Sequence, residues 1–188
     1  MQTIETNQLE LIALDLESLH LLRQDRILLE KHLDIEFSDH QLSQDIKNDF
    51  KHELFNKIND VSENIEIYEW YTNWEIILKS QRQSIGSIGF SGYPDETGTA
   101  KIGFYIDERF RNRGHATEAI EAMVNWAFNS EQLIQIVAET LPENEPSNKL
   151  LAKCGFSFNN LIDGLNSWHL KRKNIRKAID IHFKSEIF

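Results

Sequence analysis

Apolar residues in the first third of the chain recur at the spacing of α-helices. A short strand, Leu9 to Leu14, comes first, and Asp15 behind it is a candidate helix cap. The apolar positions that follow near helical spacing are Leu16, Leu19, Leu22 and Leu29. A second set recurs every four residues, with Ser38 or Asp39 ahead of it, and consists of Leu42, Ile46, Phe50 and Leu54. The pattern therefore predicts one strand followed by two helices.

The middle of the chain changes to short β-rich runs separated by Gly, Pro, Asp and Thr. Three runs, at 74–80, 83–92 and 100–108, are joined by short connections, which favours an antiparallel meander. Next we expect a helix at 117–129, a strand at 133–140, a helix from Pro146 that Gly155 closes, and strands at 156–162 and 166–172. Helix pairs, a meander and a β-α-β ending predict an α/β fold with a mixed sheet.

Composition narrows the class of protein. The 188 residues, 40% of them hydrophobic and 27% charged, are expected to form one globular domain with a substantial core. There is no apolar run of about 18 residues and no visible secretory signal, so we expect neither a membrane span nor export. Cys154 is the single cysteine, which excludes an internal disulfide and fits the cytoplasm.

Charge adds a preference for partners. The formal net charge of −10 argues against a general nucleic-acid binder, because phosphate backbones would be repelled, and it favours cationic partners such as amines. The tail from Lys171 to Phe188 is different, with six Lys or Arg against two acids. This tail is either the solvated face of a terminal helix or a patch that contacts phosphate. Its apolar residues fit a dimer contact or docking on the protein's own sheet, so monomer and homodimer both stay open.

The segment RFRNRGHATEAI, Arg109 to Ile120, clusters three arginines around Gly114 where a helix is predicted to begin. A helix N-terminus leaves N–H groups unpaired and carries about half a positive charge, so it suits phosphate oxygens. Gly114 removes the side chain where a phosphate would approach, and Ala116 keeps that approach narrow. The alternative is a glycine-containing loop that only starts a helix. The segment is neither a Walker loop nor a GxGxxG dinucleotide fingerprint.

Arg111-x-x-Gly114-x-Ala116 resembles the [Q/R]-x-x-G-x-[G/A] motif of GNAT-type N-acetyltransferases, whose consecutive amides hold the pyrophosphate of coenzyme A. As in that family, the motif follows a strand, IGFYID, and opens a helix. A second block, VAETLPENEPSNKLLAKCGF at 137–156, resembles the family's N-x-x-S pattern with its helix and Gly-Phe pair. The ending SWHLKR is similar to the last strand of the branch that includes ribosomal-protein N-terminal acetyltransferases. The resemblance extends over 83–172, and over 9–79 by layout alone.

The resemblance implies a GNAT-like mixed, mostly antiparallel twisted sheet flanked by helices, with a V-shaped splay between the two central strands. It implies one domain over 1–188, in which 1–80 holds the N-terminal strand and acceptor-side helices, 83–172 the CoA-binding core and 173–188 the C-terminal tail. It further implies transfer of an acetyl group from acetyl-CoA to a primary amine by direct attack, without a metal or a covalent enzyme intermediate.

A coenzyme A site is implied along the strand before the motif, through the motif, and at the next helix start. Backbone groups of the strand would pair with pantetheine amides, and one N–H could face the thioester oxygen. The implied cofactor-binding residues are Phe104, Tyr105, Ile106, Arg111, Asn112, Arg113, Gly114, His115, Ala116, Thr117, Asn144 and Ser147. Two alternatives remain, namely that the strand is ordinary core and that Asn144 and Ser147 only cap a helix.

Two residues are candidates for catalysis. Ser147 matches the family serine near the sulfur, where its hydroxyl could return a proton to the leaving thiolate. Many members use a tyrosine on this helix instead, but Leu151 occupies the matching position here. Glu139 matches a glutamate that draws a proton from the amine through water, and its alternative is a solvated strand end or a partner for a basic residue. An amine that arrives deprotonated needs no base, and weaker candidate bases are Asp107, Glu69 and His169.

The acceptor is the least determined part. A protein N-terminus, a polyamine, an amino sugar or an antibiotic would each suit the acidic composition. The aromatic run YEWYTNW, Tyr68 to Trp74, either walls an acceptor pocket or packs in the core. A catalytically inactive CoA-binding or interaction protein on the same fold is the alternative function.

Overall fold

The computed structural model describes residues 1–38 and 44–172, with the backbone alone over 44–52. Its strands are β1 (Thr3–Glu5), β2 (Leu9–Ala13), β3 (Asn73–Leu78), β4 (Gln83–Phe90), β5 (Thr99–Ile106), β6 (Gln135–Thr140), β7 (Ser157–Ile162) and β8 (Leu165–Lys171). Its helices are α1 (Leu16–Gln24), α2 (Arg26–His32), α3 (Gln44–Glu63), α4 (His115–Ala127) and α5 (Glu145–Lys153), with 3-10 turns at Ile65–Trp70 and Glu108–Phe110. The predicted cap Asp39, the apolar position Leu42 and the tail 173–188 lie outside the described residues.

The eight strands form one sheet in the order β1-β2-β3-β4-β5-β6-β8-β7. Every neighbouring pair is antiparallel except β5 with β6, which is parallel. Three residue pairs join β5 to β6, ending at Lys101 with Val137, whereas β5 continues beside β4 as far as Ile106. Beyond this last pair, toward the C-terminal ends of both strands, β5 and β6 therefore separate. The predicted mixed, mostly antiparallel sheet with helices around it and a central splay is confirmed.

The leucine pattern after β2 forms two helices, where the sequence predicts one. Asp15 caps α1 as predicted, because its carboxylate accepts a hydrogen bond from the Ser18 N–H. Asp25 interrupts the pattern with an extended backbone (φ −160°, ψ 133°), and its carboxylate accepts from the Ile27 N–H to start α2. An aspartate prefers a cap to a helix interior, so apolar spacing alone runs through a break that the side chain imposes.

Helices cover the two faces of the sheet and produce two apolar cores. The larger core packs α4 and α5 against the sheet, with Ile120, Met123 and Leu151 almost fully buried. The smaller core packs α1 to α3 against the other face, through Leu19 and Val61 among others.

The aromatic run before β3 belongs to the larger core. Trp70 lies with its ring centroid 5.0 Å from that of Phe90 and 4.8 Å from that of Trp126, and Trp74 lies 5.1 Å from Trp126. Trp70 and Trp74 thus pack in the core, as one interpretation of this run predicts, but against α4 and not beneath the first helices. No helix within 1–38 and 44–172 is both long enough and apolar enough to cross a membrane.

Candidate active site

A cleft of about 690 Å³ opens where β5 ends, between the first turns of α4 and α5. It brings together residues from three segments that are distant in the sequence, because the splay leaves the end of β5 open on this side. Every predicted cofactor-binding residue lines this cleft except Arg113. The cleft also has contributors that the sequence analysis missed: Phe110, Pro146, Lys149, Leu150 and Lys153.

Gly114 is the N-cap of α4 and has a left-handed backbone, with φ of +86°. A Cβ built at Gly114 would meet no heavy atom within 4 Å, so the missing side chain leaves open space beside the helix start. The first-turn N–H groups of α4 have no carbonyl partner within the helix, and the helix dipole adds positive potential there. Residues Gly114 to Thr117 thus form a cradle of backbone donors, an arrangement of the kind that binds phosphate groups.

The three arginines around this cradle are engaged by the protein itself. Arg109 makes a two-pronged ion pair with Asp107, with 2.7 Å between Nη2 and Oδ2. Arg111 donates from Nε to the Ile106 carbonyl at 2.9 Å and pairs with Glu108 at 3.2 Å. Because the Arg111–Glu108 pair is solvent-exposed and therefore weak, Arg111 can exchange it for a ligand phosphate.

Arg113 does not line the cleft, and its guanidinium lies 5.8 Å from the centre of the Phe110 ring. The Asp107 carboxylate, a weaker candidate base, is committed to Arg109.

His115 begins α4 beneath the cradle and is 5% exposed. Its Nδ1 is buried and has no hydrogen-bond partner among the described residues. Burial lowers the pKa of His115, and the positive charge of Arg113 lowers it further, against the opposing effect of Glu118. The imidazole is therefore held neutral at the helix end where an anion would bind.

The start of α5 forms the opposite wall of the cleft. Asn144 caps the helix, because its Oδ1 accepts a hydrogen bond from the Ser147 N–H at 3.3 Å. Ser147 uses its backbone in this cap, which leaves its hydroxyl for other contacts. Leu151, the position that the resemblance matches to a tyrosine, is fully buried in the core and offers no proton donor.

Asn148 is a positioning residue that the sequence analysis missed. Its Oδ1 accepts hydrogen bonds from Thr140 Oγ1 at 2.5 Å and from Trp168 Nε1 at 3.2 Å. Its Nδ2 donates to the Pro142 carbonyl at 3.0 Å. Asn148 thus ties the first turn of α5 to β6, to β8 and to the loop that carries Asn144. The sequence did carry a sign of this role. Asparagine has a poor helix propensity, so an Asn inside a helix suggests that its side chain has a tertiary partner.

Glu139 lies apart from the cleft. It is near the end of β6, opposite Ser167 of β8, and its carboxylate pairs with Lys101 of β5 at 2.9 Å. Glu139 is not among the described residues that line the cleft. His169 is also remote, because its ring nitrogens contact Ser167 and Gln135 on the sheet.

A second cavity of about 770 Å³ lies on the other side of β5, between the sheet and α1 to α3. Its floor is formed by β3, β4 and β5, and one wall by the polar face of α3. Phe104 and Tyr105 line both this cavity and the cleft. The two spaces therefore share two lining residues of β5.

A buried ionic network supports this second cavity. Arg26 Nη2 donates to Glu75 Oε2 at 2.8 Å and to Ser84 Oγ at 2.9 Å, while Arg26 Nε donates to Glu30 Oε1 at 3.1 Å. Burial alone would lower the pKa of Arg26, but the Glu75 and Glu30 carboxylates outweigh burial and hold that pKa above its usual value. Sequence spacing shows the Arg26–Glu30 helix pair but gives no sign of Glu75, which comes from β3.

Comparison with known proteins agrees with this geometry. Residues 9–157 match the family model described as Acetyltransferase (GNAT) domain. The chain is 31% identical over 166 residues to Uncharacterized N-acetyltransferase p20 of Bacillus licheniformis, with 86% of each chain covered. It is 34% identical over 98 residues to Uncharacterized N-acetyltransferase YjdG of Bacillus subtilis, covering 52% of this chain and 58% of that protein, which is less than two thirds of its length.

Among solved structures, one titled as the RimL ribosomal L7/L12 alpha-N-protein acetyltransferase in complex with coenzyme A has a similar fold. The superposition has a TM-score of 0.63 at 18% identity and covers 90% of this chain and 98% of that one. At this identity the likeness concerns the fold.

Proposed function

Since the chain belongs to the GNAT family of acetyltransferases, we propose that it moves an acetyl group from acetyl-CoA to a primary amine by direct attack. The chain is an acyltransferase by family, and its acceptor and the details of its mechanism are our proposal. The observation that carries the proposal is that Phe104 and Tyr105 line two cavities, one on each side of the splayed strand.

The cleft side suits the cofactor. Acetyl-CoA supplies an activated thioester when it is bound. Backbone N–H groups of Gly114 to Thr117 would hold its pyrophosphate, and the edge of β5 from Phe104 to Ile106, which β6 leaves free, would hold its pantetheine arm. Asn144 lies in the cleft wall, where its remaining amide hydrogens can reach the arm.

The sequence-predicted arginines differ in what they offer this cofactor. Arg111 and Asn112 line the cleft and complete its rim beside the cradle. Arg113 does not line the cleft and would contribute only positive charge from its place over Phe110.

The acceptor would enter from the second cavity, where its amine faces the same part of β5. A donor N–H on β5 would stabilise the developing oxyanion, and alignment of amine and thioester supplies much of the rate. Ser147 would return a proton to the leaving thiolate. Glu139 would take the amine proton through water. Its ion pair with Lys101 would have to open, or Lys101 would have to pass the proton on.

We further propose that the acceptor is a protein N-terminus or a small-molecule amine. The structural neighbour named for ribosomal L7/L12 supports the first, and the exposed carboxylates Glu53 and Asp60 along the second cavity suit a cationic amine of either kind. The proposal includes one domain over 1–188, a cytoplasmic location supported by the single cysteine, and a monomer or homodimer that contacts neither nucleic acid nor membrane.

The first experiment is thermal unfolding with and without acetyl-CoA, because it needs no knowledge of the acceptor. Ligand at about 100 times its dissociation constant adds roughly 2.7 kcal/mol, a rise of roughly 5 to 11 °C for a domain of this size. Gly114→Glu should abolish the rise by filling the cradle. Gly164→Glu is the matched control, since Gly164 also has positive φ (+81°) and open space around it, but lies in the β7–β8 turn.

The second experiment is thiol release with a panel of amines and N-terminal peptides. Release with any of them that Gly114→Glu eliminates supports the proposal. Stabilisation by acetyl-CoA without release for any amine would favour the alternative, a CoA-binding protein without catalysis. No stabilisation at millimolar acetyl-CoA would contradict both.

A further inference from the structure

The polar face of α3 presents a lysine to the cavity that we assign to the acceptor amine. The residues of α3 that line this cavity are Glu53, Asn56, Lys57 and Asp60. They recur at helical spacing and so form one stripe along the helix. Glu53, Asn56 and Asp60 are exposed, whereas Lys57 is partly buried. Lys57 is therefore the innermost of the four.

Its position explains this burial. Lys57 lies three residues after Leu54 and four before Val61, and both of these are packed in the core between α3 and α1. The aliphatic stem of Lys57 thus runs beside the apolar stripe, and Lys57 is one of the residues that line the cavity. No carboxylate among the described residues forms an ion pair with Lys57 within 4.0 Å.

We propose that Lys57 is an internal acceptor, which the protein acetylates with its own acetyl-CoA when no external amine occupies the cavity. The inference rests on the proposed function, because it uses the same donor site. The opposite side of the cavity is Phe104 and Tyr105 of β5, which also line the cofactor cleft. A tethered amine in the acceptor space has a high effective concentration toward a thioester bound next to it.

The chemistry is the ordinary acyl transfer. The lone pair of neutral Lys57 Nζ forms a bond to the thioester carbonyl carbon, the C–S bond breaks, and the thiolate leaves as CoA thiol with the proton that the nitrogen loses. Burial lowers the pKa of Lys57, against the opposing charges of Asp60 and Glu53, and so raises the neutral fraction. The product, an acetylated lysine, is uncharged and bulkier. It would therefore close the cavity and slow transfer to external amines.

The test is incubation of the wild-type protein with acetyl-CoA alone, followed by intact-mass measurement and peptide mapping. We expect one acetyl group on Lys57, gained at a rate that does not depend on protein concentration and that an added acceptor amine slows. Lys57→Arg should gain none, and Lys31→Arg, an exposed lysine on α2, should behave as wild type. The site is mapped on the wild-type chain, so the result does not depend on the folding of a variant.

Two results would overturn the inference. One is an unmodified Lys57 in a preparation that acetylates an external amine, which would leave the proposed function standing. The other is acetylation of Lys57 at an equal rate in Gly114→Glu, which would show reaction with free acetyl-CoA. Failure of the proposed function would look different, because acetyl-CoA would then neither stabilise the protein nor release thiol with any amine.

Discussion

Arg26 of α2 and Glu75 of β3 are joined by a buried ion pair, with 2.8 Å between Nη2 and Oε2, and the Glu75 side chain is 4% exposed. The same guanidinium holds Glu30, whose side chain is 3% exposed. One cation thus bridges two carboxylates between the helical layer and the sheet. This network fixes α2 over the second cavity.

Removal of Arg26 should strongly destabilise the protein. Arg26→Met leaves the Glu30 carboxylate buried without its cation and takes one partner from Glu75, which costs about 3–5 kcal/mol in the free energy of unfolding. Arg82→Met is the matched control, since the Arg82–Asp34 pair is exposed and is worth about 0–1 kcal/mol. Urea denaturation of both variants measures the difference. Equal losses would mean that the network is not what holds α2 on the sheet.

The neutral state of His115 predicts a pH-dependent stability. Its pKa is lowered in the folded protein from an ordinary value of 6.5, so the unfolded chain binds the proton more tightly. The free energy of unfolding should therefore be undiminished above that value and should decrease as the pH falls below it. His115→Gln should reduce this decrease between about pH 7 and 5, as measured by urea denaturation at each pH, and should leave the part due to His169, whose pKa burial also lowers. If the free energy of unfolding of His115→Gln fell with pH as steeply as that of the wild type, other groups would cause the pH dependence.

The sequence predicted the cleft better than it predicted the acceptor side, for a physical reason. The cradle at Gly114 and the cap at Asn144 are local, since each depends on a few consecutive residues at a helix start. The second cavity depends on contacts distant in the chain, such as Arg26 with Glu75 and Ser84, which no spacing reveals. Glu139 illustrates the limit of sequence position. It matches a family glutamate along the chain, yet its side chain does not line the cleft.

The same contrast holds for the fold. Alternation and turn residues located β3 to β8 within a few residues of their bounds. The strand β1 was missed because its three residues, Thr3 to Glu5, are too few to show a period and pair only with β2. The break at Asp25 was missed because the leucines on both sides of it continue one apolar face.

Asn148 should be needed for cofactor binding although it does not line the cleft. Asn148→Ala leaves the Thr140 hydroxyl without its acceptor, whereas the Trp168 indole N–H keeps Thr140 Oγ1 at 3.1 Å, and the loss costs about 1–3 kcal/mol. The loop before α5 should loosen, so stabilisation by acetyl-CoA should shrink as well. Asn159→Ala, an exposed asparagine on β7, is the control. A full ligand-induced shift in Asn148→Ala would show that the loop holds its position without this residue.

Replacement of Glu139 tests whether the chain supplies a base. If Glu139 takes the amine proton, Glu139→Gln should lower kcat/KM most at low pH, where few acceptor amines are neutral, and should leave acetyl-CoA binding unchanged. Lys101→Met should alter the same pH profile, because Lys101 is the partner of this carboxylate. Glu143→Gln, an exposed acid in the following loop, serves as the control. A profile identical to wild type in Glu139→Gln would mean that the acceptor arrives deprotonated.

Ser147→Ala separates catalysis from helix capping. The cap at Asn144 uses the Ser147 N–H, which alanine retains, so the variant should keep both its stability and its thermal shift with acetyl-CoA. If the hydroxyl returns a proton to the thiolate, kcat should fall by about 10²–10⁴-fold. Asn144→Ala is the complementary variant, because it removes the cap acceptor and should lower the free energy of unfolding by about 1 kcal/mol. Thiol release under saturating acetyl-CoA, read beside urea denaturation, distinguishes the two roles. An undiminished kcat in Ser147→Ala would assign the proton to solvent or to another group in the cleft, such as Tyr105.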